Sequence, residues 1–317
     1  MIPAPPMTAR QRALEAVSPR GRLGVELGPL NRPLIRREDG DILYADHRST
    51  EDLRRKYAGH ASVSGPDARP LEDVDLVLEH QSLAQALGPR APVDYVVASH
   101  VIEHIPDPVG WLNELAAILR EGGLVYLVVP DKRFTFDYHR TPSTTGDLVA
   151  HHLAAAKVAS PAQVFEYVAR VATVEPAEVW AGTERDPKPM FENQLGRAFA
   201  DARRIAETGA YTDAHCTVYT PASFLAVFHE LIALDLIPFE IAGIVPTERL
   251  HLDFSVTLRK RAEASPTERA AATPAIDRHR HHEMPEVPVR GLGRRLTLAL
   301  RMLLRGSIRG AEAGKHG

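Results

Sequence analysis

Short apolar runs recur along the first half of this chain, each followed by a polar or turn-rich stretch. Leu23 to Leu27, Ile42 to Ala45, Val74 to Leu78, Val93 to Ala98 and Gly123 to Val129 are apolar or β-branched for most of their length. Strand-sized runs of this kind, alternating with amphipathic stretches, predict a parallel sheet covered by helices on both faces. The helix starts are legible too. In "HRSTEDLRRKY", Ser49 stands three residues before Asp52 in a capping-box-like arrangement, with Leu53 and Tyr57 on one side of the helix that follows. In "DPVGWLNELAAILREGG", Asp107 is placed to cap and Pro108 to occupy the first helical position. Trp111, Leu112, Leu115, Ile118 and Leu119 then form one apolar face before Gly122 and Gly123 stop the helix.

The second half changes character. Residues 151–211 are Ala-rich with helical spacing, broken by "TERDPKPMFENQ", and read as a helical insertion or lid. In "YTPASFLAVFHELIALDLI", Thr220 caps, Pro221 takes the first position, and Phe224, Leu225, Phe228, Leu231 and Ile232 share a face. Two strands close the domain, Phe239 to Val245 and His251 to Leu258, with only "PTERL" between them. That is too short for a helical crossover, so the pair must be antiparallel. From about Ala262 the composition is that of a disordered linker. The organisation expected is an N-terminal extension (1–22), a main domain (23–260) holding the insertion, a linker (261–286) and a basic amphipathic helix (287–310).

Composition narrows the function. With 317 residues, 44% hydrophobic and 25% charged, the chain can bury a full α/β core. A net charge of -3 gives no global attraction to nucleic acid, and no nucleic-acid partner is expected. The single cysteine, Cys216, excludes an internal disulfide framework and Cys-based zinc sites. No secretory h-region and no long apolar run are visible, so a cytoplasmic protein is expected. The fifteen histidines suggest no metal site at this stage, since "HRHH" (279–282) falls in the linker and His151 and His152, adjacent in a helix start, point about 100° apart.

Open parallel sheets bind ligands outside the carboxyl ends of their strands. Here those ends carry Glu26, then Gly28 and Pro29; Asp46, then His47; Glu79 with His80; and Ser99 with His100. A carboxylate at Asp46 can accept both hydroxyls of an adenosine ribose side by side.

The segments "ASHVIEHIPDPVGWLNELAAILREGGLVYLVVPDKRFTFD" and "HCTVYTPASF" resemble class I S-adenosylmethionine-dependent methyltransferases, in particular the type 11 and 23 group, and the resemblance runs from about Leu23 to Lys260. It implies a Rossmann-like seven-stranded sheet with an antiparallel terminal hairpin and S-adenosylmethionine as cofactor. The usual G-x-G-x-G loop is replaced by "ELGPLNRP", which matches a subgroup with an E-x-G-P-x-x-x-P loop. Carried over, the resemblance implies that Glu26, Gly28 and Pro29 lie beside the methionyl part, Asp46 on the ribose, and His47, Glu79 and His80 at the adenine. Ser99 and His100 would form the wall next to the sulfonium. His139, Asp137 and His215 are the candidate bases for a hydroxyl on a small-molecule or glycan-type acceptor, and Lys132, Arg133 and Arg140 could bind an anionic group on it. The alternative is a catalytically inactive member of the fold acting as a binding or scaffold protein. A nicotinamide dehydrogenase fits less well, for "ELGPLNRP" lacks the dinucleotide glycine pattern.

The tail "VRGLGRRLTLALRMLLRGSIRG" carries Arg290, Arg294, Arg301 and Arg305 on one helical stripe and Leu292, Leu296, Leu300 and Leu303 on the opposite one. Such a helix suits peripheral contact with an anionic membrane, here the inner face, or docking on a protein partner or on the domain itself. Removing the residues after Ala262 is expected to abolish flotation with anionic liposomes, and unchanged flotation would exclude the membrane role.

Overall fold

The computed structural model describes residues 7–60, 63, 69–183 and 186–262. The linker from 263 onward and the basic helix expected at 287–310 lie outside the described residues. In chain order the elements are α1 (Ala9–Val17), β1 (Leu23–Leu27), β2 (Asp41–Asp46), α2 (Thr50–Lys56), β3 (Leu76–Val77), α3 (Leu83–Leu87), β4 (Val93–Ser99), α4 (Pro108–Ile118) and β5 (Leu119–Pro130). The insertion follows with α5 (Thr145–Leu153), α6 (Pro161–Arg170), β6 (Ala172–Thr173), α7 (Pro176–Ala181), β7 (Lys188–Pro189) and α8 (Gln194–Thr208). Then come α9 (Pro221–Ala233), β8 (Phe239–Val245) and β9 (Asp253–Lys260).

Seven strands form one sheet in the order β3-β2-β1-β4-β5-β9-β8. The first five are parallel, and β9 runs antiparallel to both β5 and β8. The closing hairpin expected from its short connection is therefore present. Chain order reverses between β1 and β4, which leaves a crevice at the carboxyl ends of those two strands.

Both faces of the sheet are buried, and each strand divides its side chains between them with period two. Val25, Leu27, Val96, Ala98, Val125, Leu127 and Val129 join the larger core, covered by α3, α4, α5 and α9 through Leu87, Leu112, Leu148 and Phe228. Tyr95, Val97, Leu124, Tyr126 and Val128 face the other way, against Ala13 and Val17 of α1 and against Leu34 and Ile35. Residues 1–22, read as an extension, thus include a helix that belongs to the core.

Local signals behave largely as expected. Ser49, Asp107 and Thr220 each accept a main-chain N–H as N-caps, and Pro108 and Pro221 occupy first turns. The helix after Asp107 ends at Ile118 rather than at the glycines, because Leu119 already pairs with Val93 in the sheet. Gly122 instead serves a turn within the strand's irregular start, at φ 71°. His151 and His152 fall in the last turn of α5, not in a helix start, and His152 Nδ1 lies 3.1 Å from Asp107 Oδ2. The insertion packs a small core of its own from Val164, Val168, Ala198, Ile205 and Cys216.

One glycine of β1 is demanded by packing. The Tyr95 ring lies across Gly24, and a Cβ there would stand 2.1 Å from Tyr95 Cε2. Gly24→Ala must displace a fully buried ring, so urea denaturation is expected to show a loss of roughly 1–3 kcal/mol. A variant as stable as the parent would show that Tyr95 has room to move.

Candidate functional site

The register of the parallel strands brings the strand ends into one row. Leu27 pairs with Ala45 on one side and Ala98 on the other, so Gly28, Asp46 and Ser99 stand abreast at the carboxyl edge. Gly28 turns the chain at φ 62° while its N–H donates to Ala45 O at 2.8 Å. Pro29 behind it is buried. Asp46 is buried, and its Oδ1 has no hydrogen-bond partner. His47 Nδ1 lies 2.6 Å from that oxygen, but as an ion-pair contact without hydrogen-bond alignment. A buried carboxylate oxygen without a hydrogen bond at a strand end is suited to accept from a ribose diol. His47 itself is half-exposed. At the third strand end Glu79 pairs with Arg48, and His80 is exposed.

Glu26 is placed differently from its expected neighbours. It is fully buried, and its two oxygens accept the N–H groups of Leu34 at 2.8 Å and Ile35 at 2.9 Å. The loop that replaces the glycine-rich turn is thereby pinned against the sheet, where Leu34 and Ile35 complete the smaller core. Burial pushes the Glu26 carboxyl up to about 7, against the two main-chain hydrogen bonds that favour its charge.

Beside this row lies a cavity of about 360 Å³. His100, directly after Ser99, lines it and so joins it to the strand-end crevice. Its inner wall carries Glu103, His104 and His215, and its outer wall Phe134, Phe136, Val174, Pro176, Met190 and Leu252. Several of the outer residues come from the insertion. Ala172 N–H donates to Phe136 O, Trp180 stacks on Phe134 at 4.3 Å, and Trp180 Nε1 donates to His251 O at 2.9 Å. The insertion therefore roofs a cavity whose floor is the sheet edge.

Of the three expected bases, two are brought together and one is set apart. His215 Nδ1 lies 2.5 Å from Asp137 Oδ2, and Arg140 donates to Asp137 Oδ1 at 2.8 Å, all three side chains being buried. Burial opposes the Asp137 charge, but His215 and Arg140 outweigh it and hold the carboxyl below the usual range. His139 points to the main chain of the insertion, with Nε2 2.9 Å from Pro187 O, and is absent from the cavity wall. The loop's cations are also engaged: Arg133 on Asp131, Arg140 on Asp137, and Lys132 on Tyr138 O. None of these is free to grip an anionic acceptor.

Glu103 has no role in the sequence reading, and His104 is read there as structural. Glu103 sits in a short 3-10 turn, fully buried, and neither carboxylate oxygen has a hydrogen-bond partner. The nearest charged contact is His100 Nδ1 at 3.6 Å. His104 Nδ1 lies 2.9 Å from Asp213 Oδ1 as an ion-pair contact, and its ring stands edge-on to His215 at 4.7 Å. Burial disfavours charge on His100 and His104, yet the neighbouring carboxylates prevail and raise both. The available signal was an acid inside the apolar run "VIEHI", which a plain helix cap does not need.

A doubly covered sheet with a buried acid at its second strand end, a switch-point crevice and an adjoining roofed cavity is an architecture suited to a nucleoside-containing cofactor. Residues 41–231, more than half of the chain, match the family described as "Methyltransferase domain", and the chain belongs to that family. Among curated proteins none matches. Solved structures similar to it include a Rhodobacter sphaeroides protein provisionally described as a Zn-dependent alcohol dehydrogenase (13% identity, 82% of this chain and 92% of that one, TM-score 0.44). Others are S-adenosylmethionine-dependent methyltransferases from Mesorhizobium loti (16%, 80% and 96%, TM-score 0.39) and Methanosarcina mazei (14%, 79% and 98%, TM-score 0.39). At these identities and TM-scores the likeness assigns no activity. No helix among the described residues is long and apolar enough to cross a membrane.

The buried Glu26 makes stability depend on pH with a definite sign. Its folded pKa, about 7, lies above its ordinary value of 4.5, so the folded state holds the proton more tightly than the unfolded chain. Its contribution is full below about pH 4.5 and is lost as pH rises through about 7, on the order of 3 kcal/mol in all. Denaturant melts across this window should show the parent losing stability with rising pH relative to Glu26→Gln. Parallel curves would show that folding leaves the Glu26 pKa unshifted.

Proposed function

We propose that this protein transfers the methyl group of S-adenosylmethionine to a hydroxyl of a small-molecule or glycan-type acceptor. The observation that carries this reading is the buried Asp46 carboxylate, whose Oδ1 has His47 as an ion-pair contact but no hydrogen-bond partner, in line with Gly28 and Ser99 and next to a cavity whose inner wall is imidazole and carboxylate. Asp46 would accept the ribose hydroxyls, and Gly28 would let the main chain approach the methionyl end. His47, Glu79 and His80 would line the adenine edge, and Ser99 with His100 the side nearest the reacting atoms.

When bound, the cofactor supplies an electrophilic methyl: the acceptor oxygen bonds to its carbon as the carbon–sulfur bond breaks and sulfur keeps the electron pair. The protein then has two tasks, to position the acceptor and to remove its proton. Phe134, Phe136 and Met190 offer the acceptor an apolar bed. Its proton leaves into the wall of Glu103, His104 and His215, where Asp137 fixes the His215 ring through Nδ1. The cavity's size favours an acceptor no larger than a mono- or disaccharide unit or a comparable ring system.

Calorimetric titration with S-adenosylhomocysteine tests the cofactor half of this reading. Asp46→Ala is expected to weaken binding by about 1–3 kcal/mol, the scale of hydrogen bonds to a charged group. His215→Ala should leave that affinity near the parent value while lowering methyl incorporation in a screen of sugars and lipid-linked glycans. A folded parent protein that binds no S-adenosylhomocysteine would transfer the case to the scaffold alternative.

A further inference from the structure

We propose that Glu103, His104 and His215 form a binding site for a divalent transition-metal cation of the zinc class. One donor atom of each lies within 4.8 Å of those of the other two, close enough for small side-chain shifts to bring all three onto a single ion. Three further observations converge on the same point. First, both oxygens of the buried Glu103 lack a hydrogen-bond partner, and an unpaired internal carboxylate is costly unless a cation neutralises it. Second, each histidine has a carboxylate at Nδ1, Asp137 at 2.5 Å for His215 and Asp213 at 2.9 Å for His104. This is the outer arrangement that orients metal-binding imidazoles and leaves the other ring nitrogen as donor. Third, all three ligands line the cavity, so a position on the ion stays open toward it.

The donor set selects the metal. Two imidazoles and one carboxylate suit zinc, cobalt, manganese or ferrous iron, whereas calcium and magnesium prefer all-oxygen surroundings. Cys216 contributes nothing, for its buried thiol is pushed up to about 12 and its Sγ is turned to main-chain oxygens of His104 and Ala214.

The consequence for chemistry rests on the methyl transfer proposed above; the cation site itself does not. An acceptor hydroxyl entering the cavity would take the open position, and coordination would lower its pKa. Its proton would leave to solvent through the cavity mouth, and the resulting oxygen anion would bond to the methyl carbon as the carbon–sulfur bond breaks. His215 would then act as a metal ligand, not as the base.

The test uses the full chain with His279, His281 and His282 replaced by alanine, so that the tail cannot chelate, stripped of metal and titrated with Co²⁺ by visible absorption and with Zn²⁺ by calorimetry. One equivalent is expected to bind with the d–d bands of an ordered site. Glu103→Gln and His104→Ala should each weaken Zn²⁺ by more than 100-fold, and Asp213→Asn by roughly 10- to 100-fold. His60→Ala, outside the cluster, should change nothing. Absence of one-to-one binding by the folded parent, or parent affinity in both ligand variants, overturns the site; if one variant does not fold, the other decides. S-adenosylhomocysteine titration of the same samples keeps the two proposals apart, since cation binding without cofactor binding would sink only the methyl transfer, and the reverse only the cation.

Discussion

The main-chain oxygen of Glu103 accepts the N–H groups of both Cys216 and Thr217, and the candidate site depends on that junction. It fastens the stretch leaving the insertion to the turn that follows the central strand β4. His215 is thereby set beside Glu103 and His104, although 111 positions of chain separate it from His104. The third contributor, Asp137 on the loop after β5, is drawn in by the 2.5 Å contact with His215. Three segments distant in sequence thus meet at one wall because the sheet presents their strand ends side by side. Loosening this junction would separate the polar groups from one another before it disturbed the core, since Val218 and Tyr219 carry the chain on into the sheet layer.

Most of the framework was legible because it follows from local chemistry. Short apolar runs between turn-rich stretches marked the strands, Ser, Asp and Thr caps, the latter two followed by proline, marked helix starts, and a five-residue connection required the antiparallel hairpin. Asp46 was legible for the same reason, as an acid at the end of an apolar run. Glu103 was not, because its significance lies in what surrounds it: the apolar neighbours Ile102 and Val101 bury it, and the residue that approaches it comes from the far side of the insertion. The placement of His139 was not legible on the same ground. Its sequence neighbourhood is that of Asp137, yet a rotation of two positions along the loop turns it outward to Pro187.

The first loop illustrates how one segment can serve two demands. In "ELGPLNRPLI" Gly28 at φ 62° and Leu30 at φ 48° both take positive φ, and Gly28 is the one that turns the chain out of the strand. The residues that follow are used for packing, with Leu34 and Ile35 closing a sheet face that α1 covers incompletely. Glu26 is the device that holds them there. A buried carboxylate that receives two N–H groups is an expensive tie, as its raised pKa records, and an apolar residue would avoid that cost. What an apolar residue could not do is fix the path of the loop past the carboxyl edge, where the main chain must clear a bound molecule. The acid therefore shapes the crevice from behind instead of lining it.

The same balance of burial against pairing separates the polar groups of the cavity wall into two kinds. Asp137 has Arg140 and His215, so its charge is compensated within the protein, and the geometry around it is complete. Glu103 has no such partner, and His100 at 3.6 Å is too distant to complete a hydrogen bond. A fold that gives one buried acid an arginine and an imidazole within 3 Å, and leaves the next without a hydrogen-bond partner on the wall of a cavity, has put the imbalance where a ligand can reach it. In the cation site proposed above, the aspartates beside the two histidines would be the supports that keep the donors in place.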